Sequence, residues 1–364
     1  MDIKTIKTIE SATEKSISSF AKLSLSLLFL LAVFLWTYSS HGKVPDNTFL
    51  IIGAIFGAYM ALNIGANDVA NNVGPSVGAK ALTLTGAIII AAIFESAGAI
   101  IAGGDVVNTI KSGIIDPNLI TDKNSFIWAM TAGLLAGAVW LNFATSIGAP
   151  VSTTHAIVGG VMGAGIASAG FSILNWGSLF EIASSWIISP LLGGIVAAGF
   201  LYFIKKQIVY KENMLEQAQK FVPILIAIMT WAFTTYLILK GLKQLINIGF
   251  YSASGISILF AIAAYYLTKN SIEKNLSNLT NDRSSVNKLF TPALIFGAAL
   301  LSFAHGANDV SNAIGPLAAI NDAIMHGGTS VQASVPFWIM FVGAIGIVIG
   351  LVLYGPRLIK TVGS

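Results

Sequence analysis

The sequence predicts an all-α polytopic membrane protein, and its composition and hydropathy carry this prediction. Of the 364 residues, 55% are hydrophobic and only 10% are charged, against about 25% charged residues in soluble globular proteins. The mean hydropathy is +0.79, and the 36 glycines are typical of membrane helices that approach one another closely. Cysteine is absent from the sequence, which excludes disulfides, thiolate catalysis and Cys-ligated metals.

Apolar runs of roughly 20 residues are long enough to cross about 30 Å of hydrocarbon. The first run is interpreted as a retained helix, because acidic as well as basic residues precede it and because it is longer than the core of a signal peptide. Glycine and proline interrupt 67–80, 148–170 and 308–325, which we expect to form half-helices or re-entrant hairpins. The nine predicted spans are 20–38, 48–66, 83–103, 125–147, 182–204, 221–240, 244–267, 290–307 and 335–355.

An internal repeat is the most informative feature of the sequence. Gly-Ala-Asn-Asp-Val-Ala-Asn-Asn-Val-Gly-Pro at 65–75 recurs 241 residues later, at 306–316, as Gly-Ala-Asn-Asp-Val-Ser-Asn-Ala-Ile-Gly-Pro. Eight of the eleven positions are identical. Shared hydrophobic bias cannot produce this match, because the shared residues include polar and charged ones. The chain therefore contains a duplication, and we call the two segments the signatures.

The repeat suggests how the chain is organised. Lysine-bearing loops at 205–220 and 269–289 are separated by two predicted spans, so they lie on one face, which the positive-inside rule assigns to the cytoplasm. We expect a cell (plasma or inner) membrane location. The net charge of +4 lies mostly in such connecting stretches, which excludes nucleic acid as a partner; a homo-oligomer is left open. The expected parts are an N-terminal segment with the first helix (1–47), a first repeat (48–204), a connecting region with two helices (205–289) and a second repeat (290–364).

The signatures predict a cation site. Each carries an aspartate, Asp68 or Asp309, in apolar surroundings, at a cost of about 2.5–3.5 kcal/mol on insertion scales. The flanking Gly and Gly-Pro predict that the helix unwinds around 67–68 and 308–309. Freed carbonyls with carboxylate and amide oxygens suit a hard cation, and sodium is the expected coupling ion, with a proton as the alternative. The predicted sodium ligands are Asn67, Asp68, Asn71, Glu95, Asn308, Asp309 and Asn312.

Simpler roles remain open for these acids. Capping a broken helix could be the sole role of each aspartate. Glu95 lies in the middle of a predicted span and could be a cation ligand, a proton carrier or a neutral packing residue. Aligning Gly98-Ala99-Ile100 with Gly343-Ala344-Ile345 places Met340 at the position equivalent to Glu95, so the two halves are expected to differ chemically.

The segment Pro150-Val151-Ser152-Thr153-Thr154-His155 predicts an anion site. Proline and hydroxyl residues are typical of a helix start. The N–H groups and positive dipole end of such a half-helix, joined by three hydroxyls, can bind an anion. The alternative is that the hydroxyls bond only to the preceding helical turn. His155 is expected to be a packing residue.

The distribution of charges then suggests a mechanism. The only arginines, Arg283 and Arg357, fall in loops or at a span end, so an interior anion would meet Asp68, Asp309 and Glu95 without a fixed cation. In a low dielectric this is costly. A mobile cation is therefore expected to accompany the anion, which describes a cation-coupled symporter.

Both motifs resemble those of the inorganic phosphate transporters, the PiT family, over residues from about 48 to the end of the chain. The resemblance implies two inverted repeats with broken or re-entrant helices, phosphate as substrate, and sodium or proton coupling. It also implies a phosphate site formed by Ser152, Thr153, Thr154, Asp68 and Asp309, with Glu95 among the residues to carry over. By the repeat spacing, a second Pro-x-Ser-Thr-Thr-His block is expected near 391–396, past Ser364.

Other functions remain as alternatives. The sequence does not separate phosphate from sulfate or arsenate, nor a symporter from a passive channel or facilitator. A membrane phosphatase would need a convergent nucleophile, base and metal set, which four scattered histidines and no cysteine do not suggest. We therefore expect a transporter and not an enzyme.

Overall fold

A computed structural model describes residues 19–44, 46–104, 107, 113–120, 122–241, 248–275, 279–326 and 335–363. These residues form helices and short connections without β-strands, and an isolated bridge pairs Ile115 with Leu174. Among them, eight helices are long and apolar enough to cross a membrane, or up to nine if a pair bent by 65° counts as one span. The chain is thus an integral multi-pass membrane protein. The polar segment before residue 19 and the start of the span predicted at 244–267 lie outside the described residues.

The helices follow the predicted spans, with different ends. Residues 205–209 and 237–241 are π-helical turns that follow α6 and α7 directly. The 65° bend separates α10 from α11. The helices are α1 (Ser19–His41), α2 (Asn47–Gly78), α3 (Leu84–Ala102), α4 (Lys123–Ile147), α5 (Thr153–Ala169), α6 (Trp176–Ile204), α7 (Met214–Tyr236), α8 (Phe250–Asn275), α9 (Arg283–His326), α10 (Phe337–Leu353) and α11 (Gly355–Gly363).

Side-chain caps fix the starts of the helices around the site. The Thr83 hydroxyl accepts from the Gly86 N–H at 3.1 Å before α3, and the Asp122 carboxylate accepts from the Ser125 N–H at 2.8 Å before α4. The hydrogen bond from Ser125 holds the pKa of the exposed Asp122 carboxyl below its usual value. Such caps satisfy N–H groups that have no intrahelical partner.

The signatures do not unwind. α2 runs without a break from Asn47 to Gly78 through Pro75, and α9 runs from Arg283 to His326. The predicted unwinding at 67–68 and 308–309, and the half-helices at 67–80 and 308–325, are therefore wrong. The segment 148–170 does contain a short separate helix, α5, of 17 residues, between Gly148 and Gly170, both with positive φ.

Close packing explains the signature glycines that had suggested unwinding. A Cβ added to Gly65 of α2 would overlap the carbonyl oxygen of Ile347 in α10, and one added to Gly306 of α9 would overlap that of Glu95 in α3. The glycines thus allow backbone-to-backbone contact between helices. Local propensity predicted a break, whereas tertiary packing keeps the helices intact.

The two contacts belong to matching interfaces. Gly350 meets the carbonyl of Leu62, and Gly98 meets that of Phe303; Leu62 and Phe303 are 241 residues apart, as the signatures are. Gly355 and Gly103 likewise meet Val69 and Val310. The α2–α10 and α9–α3 interfaces are therefore equivalent, and each pairs the signature helix of one repeat with a helix of the other repeat. That the repeats have inverted membrane topology stays a prediction.

These contacts correct the alignment of the second halves of the repeats. Gly98 corresponds to Gly350, and Glu95 corresponds to Ile347, because each pair meets equivalent residues of the signature helices. The alignment that paired Glu95 with Met340 is wrong by seven residues, two helical turns, which leaves the same helix face in place. Ile347 is fully buried.

The described residues fall into two compact units. One contains the chain up to Leu179 and again from Ala298, and the other contains Phe180–Gly297. The second unit holds α7 and α8, which are joined by a hydrogen bond of 3.1 Å from Trp231 Nε1 to the Ser254 hydroxyl. α6 and α9 continue across the division, so it falls inside helices and not at the lysine-bearing loops. Both signatures and α5 lie in the first unit.

Candidate functional site

The two signature aspartates meet at the start of α5. A cavity of about 340 Å³ lies there in the first unit. α2 supplies Asp68, and α9 supplies His305 and Asp309. The lining residues are Asp68, Asn71, Pro150, Val151, Ser152, Thr153, Thr154, His305 and Asp309.

His305 lies between three carboxylates. Its Nε2 is 2.6 Å from Asp309 Oδ2 and 3.5 Å from Asp68 Oδ2, while Nδ1 is 3.5 Å from Glu95 Oε2. Neither ring nitrogen completes a hydrogen bond of good angle to a described residue, so these are close ionic approaches. Because one imidazole carries at most one positive charge, it offsets at most one of the three negative charges. The expectation that this interior contains no cationic side chain is therefore corrected, because His305 can supply one positive charge. That charge does not balance the carboxylates.

Glu95 lies behind His305 and away from the cavity lining. Its carboxylate is fully buried, and Oε1 accepts a hydrogen bond of 2.8 Å from Asn72 Nδ2. Its other oxygen, Oε2, has no hydrogen-bond partner among the described residues and faces His305. Glu95 can therefore act on the cavity only through His305 in this conformation.

The hydroxyls at the start of α5 have two different roles. Ser152 is the N-cap, and its oxygen accepts from the His155 N–H at 3.2 Å. The Thr153 and Thr154 oxygens accept from Asn312 Nδ2 at 3.2 and 3.1 Å. Each threonine keeps its hydroxyl hydrogen for another partner, which an entering anion can supply.

Asn312 connects the anion side to the acidic side. Its amide also donates to Asp309 Oδ1 at 3.0 Å, and its side chain is buried. The two hydrogens of this amide are thus shared among two threonine hydroxyls and a signature carboxylate.

The remaining signature asparagines differ in position. Asn67 is buried and holds the turn before α5: its amide donates to Thr145 Oγ1 at 2.9 Å and Ala149 O at 3.1 Å, and its Oδ1 accepts from the Val151 N–H at 3.0 Å. Asn71 lines the cavity. Asn308, at the position equivalent to Asn67, is exposed and does not line the cavity. The exposed His155 also lies outside the lining.

Comparison with known proteins adds a family to this geometry. Residues 64–364 match the phosphate transporter family. The chain belongs to this family. α1 and the first part of α2 precede the matched residues.

Relatives of the phosphate transporter family extend the match. A Helicobacter pylori (strain J99) protein, provisionally named a phosphate permease, is 52% identical over 100% of this chain and 69% of its own length. A Haemophilus influenzae protein with the same name is 38% identical over 86% of this chain and 76% of its own. A solved structure described as the sodium-dependent phosphate transporter superposes with a TM-score of 0.81 at 32% identity, covering 87% of this chain and 78% of the other.

From the sequence alone, His305 was not identified as a site residue of this phosphate transporter family member. A signal was present, because the position 241 residues earlier in the first repeat is Ile64. The same comparison sets Asn72 against Ala313 and, by the equivalent interfaces, Glu95 against Ile347. We call Asn72, Glu95 and His305 the polar trio. Its apolar counterparts are Ala313, Ile347 and Ile64, all fully buried.

Proposed function

We propose that the protein carries inorganic phosphate across the cell membrane by symport with sodium, with protons as the alternative coupling ion. The observation that carries the proposal is that both signature aspartates meet at the N-terminus of α5 in one cavity. The phosphate ligands are Thr153 and Thr154 with the free N–H groups of α5; Ser152 shapes the helix start. Asp68 and Asp309 border both ligands.

The charge of the cavity supports coupling to a cation. With both lining aspartates ionised, the cavity carries a net charge of −2 beside a neutral His305 and −1 beside a protonated one, which would repel a phosphate dianion in a low dielectric. The ligand atoms of Asp68, His305 and Asp309 lie within 4.8 Å of one another, close enough to surround one ion. Carboxylate and amide oxygens suit a hard cation better than a ring nitrogen does. We therefore assign sodium to Asp68 and Asp309, with Asn71 and Asn312 as amide neighbours.

The other predicted sodium ligands receive indirect roles. Asn67 positions the Ala149–Val151 turn through two hydrogen bonds and joins it to Thr145 of α4 through a third. Glu95 acts through His305. We do not assign Asn308 as a sodium ligand in this conformation, because it is exposed.

Transport by purified protein in liposomes tests the proposal. Phosphate uptake is measured under an imposed sodium gradient, under a proton gradient, and with choline replacing sodium. Accumulation against the phosphate gradient in sodium alone supports sodium symport. Uptake that never exceeds equilibrium and ignores both gradients would identify a facilitator. Excess sulfate or arsenate added as competitor identifies which oxyanion is carried.

Isosteric variants connect uptake to the site. Asp68→Asn and Asp309→Asn should each lose sodium activation of uptake while remaining monodisperse after purification. Asp46→Asn is the matched control, because Asp46 pairs with Lys123 at 2.7 Å on the surface. Sodium activation that is unchanged in both site variants would contradict the assignment.

A further inference from the structure

A second cavity of the first unit lies beside α1, away from the phosphate site. Its volume is about 560 Å³, within the range of ligand pockets. One wall is the N-terminal half of α1, and the others come from α2, α4 and the α10–α11 bend. The buried residues of α1 are Ser26, Val33 and Thr37, and the cavity lies beside the N-terminal half of this helix.

The lining combines leucines, uncharged polar side chains and two cations. Leu23, Leu27 and Leu30 of α1 and Leu62 of α2 form its apolar part. Among the described lining residues there is no carboxylate, whereas Lys22 and Arg357 are both present. An occupant with an apolar body and an anionic head fits this lining, which is the chemistry of an acidic phospholipid.

Each of the two cations lies near another residue of the lining. Arg357 Nη1 donates to the carbonyl of Ser146 at 2.8 Å, which leaves the other guanidinium donors for a further acceptor. Lys22 Nζ lies 6.0 Å from the centroid of the Tyr354 ring, whose hydroxyl is 3.0 Å from the Ser26 hydroxyl. Neither cation has a carboxylate within 4 Å among the described residues.

We propose that this α1 cavity binds an acidic phospholipid, with its phosphodiester at Lys22 and Arg357 and an acyl chain along the leucines of α1 and α2. A membrane protein meets such lipids at high local concentration, and basic pockets between membrane helices bind anionic headgroups. A free anion would not use the apolar part of the lining.

The occupant would touch the support of the phosphate site. Thr145 lines the α1 cavity and accepts the hydrogen bond from Asn67 at 2.9 Å, and Asn67 in turn holds the turn before α5. A bound lipid therefore stabilises the helix end that positions Thr153 and Thr154. The binding itself does not depend on which substrate is transported.

Lipid titration of the delipidated protein tests the proposal. The full chain in a neutral detergent is titrated with phosphatidylglycerol or with phosphatidylcholine of the same acyl chains, and bound lipid is counted by native mass spectrometry while the thermal unfolding midpoint is recorded. Phosphatidylglycerol should bind and raise the midpoint, and phosphatidylcholine should do so at least tenfold more weakly. Equal effects of both lipids would show nonspecific lipid contact and overturn the proposal.

Variants and soluble anions complete the test. Lys22→Gln and Arg357→Gln should each weaken phosphatidylglycerol binding about tenfold or more, because each removes a charge-assisted contact. Lys22→Gln keeps the Arg357–Ser146 contact, so it remains informative if Arg357→Gln folds poorly. The control, Lys211→Gln, removes an exposed charge of the second unit and should bind like the parent. Two results would refute the lipid site. One is wild-type affinity for phosphatidylglycerol in both cavity variants. The other is that inorganic phosphate raises the unfolding midpoint as much as phosphatidylglycerol does and that Lys22→Gln abolishes this effect.

Discussion

Replacing the polar trio by its own counterparts separates structure from chemistry at the site. The triple variant Asn72→Ala, Glu95→Ile, His305→Ile gives α2, α3 and α9 the residues that stand at the equivalent positions of α9, α10 and α2. Because the backbone contacts of the two interfaces match, we expect the triple variant to fold. We also expect it to lose sodium-dependent phosphate uptake, since His305 and the charge of Glu95 are gone.

The contacts allow the stability changes to be ranked. Glu95→Ile alone leaves the Asn72 amide without its 2.8 Å partner and removes one of the three carboxylates around His305. An unsatisfied buried amide costs about 1–3 kcal/mol, and breaking a buried ion pair costs about 3–5 kcal/mol. The triple variant removes Asn72, Glu95 and His305 together, which is often close to neutral when apolar groups replace a buried pair, but it also takes His305 away from Asp68 and Asp309. When sodium offsets the charge of these two aspartates, the single variant should be the less stable of the two.

Thermal unfolding in detergent and uptake in liposomes measure the two effects separately. Unfolding is recorded in high sodium, because without His305 the carboxylates of Asp68 and Asp309 lose their cationic neighbour. Ile64→Val with Ile347→Val serves as control in the other interface and should cost about 0.5–1.5 kcal/mol per residue with uptake retained. Full uptake by the triple variant would show that the trio only packs helices. A triple variant less stable than Glu95→Ile would refute the equivalence of the interfaces.

Three further predictions concern the phosphate side. Thr153→Val with Thr154→Val should weaken phosphate binding by tenfold or more in calorimetry, since each lost bond to a charged ligand is worth about 1.5–3 kcal/mol; unchanged affinity would assign these hydroxyls to the helix alone. Asn67→Ala should raise KM for phosphate by freeing the turn before α5, whereas Asn308→Ala, its exposed counterpart, should not, and equal effects would contradict this difference. Phosphate affinity should rise with sodium against a choline control, with a coupling of about 1–3 kcal/mol that is the same for both ligands; independence from sodium and from pH would exclude symport.

Much of the fold could be predicted because its signals are local or repeated. Runs of apolar residues identify membrane helices by length alone, and Ser152 with Gly148 identifies the start of α5 by local chemistry. The duplication of Asp68 and Asp309 in apolar segments indicated a functional reason for both acids, and the resemblance to the phosphate transporters implied that they belong to one site. These features do not depend on which helices pack together.

The unwinding was mispredicted because a glycine in a helix can have two opposite effects. Gly65 and Gly306 weaken a helix in isolation, yet they also permit contacts that no side chain would allow. Only the partner helix decides between these effects, and its identity is not a local property of the sequence. Pro75 is similarly tolerated inside α2, as proline often is in membrane helices.

The charge of the site depends on His305, which an analysis of apolar runs does not identify. His305 directly precedes the second signature, and its spacing of four residues from Asp309 places both on one face of α9. Its nitrogens then reach acids on three helices. The carboxylates still outnumber the imidazole, so the argument for a mobile cation survives this correction with a smaller charge deficit.

The paired interfaces give a rule for finding function inside a duplicated membrane protein. Where two interfaces share the same backbone contacts, packing makes the same demand on both, and an apolar solution in one copy shows that packing does not require polar residues in the other. Ile64 and Ile347 provide that solution here, so His305 and Glu95 must be retained for another reason. Asn67 and Asn308 differ in the opposite way: their residue type is the same, but only Asn67 holds a turn. Chemical asymmetry at matched positions, more than identity within the signatures, therefore marks the residues on which transport should depend.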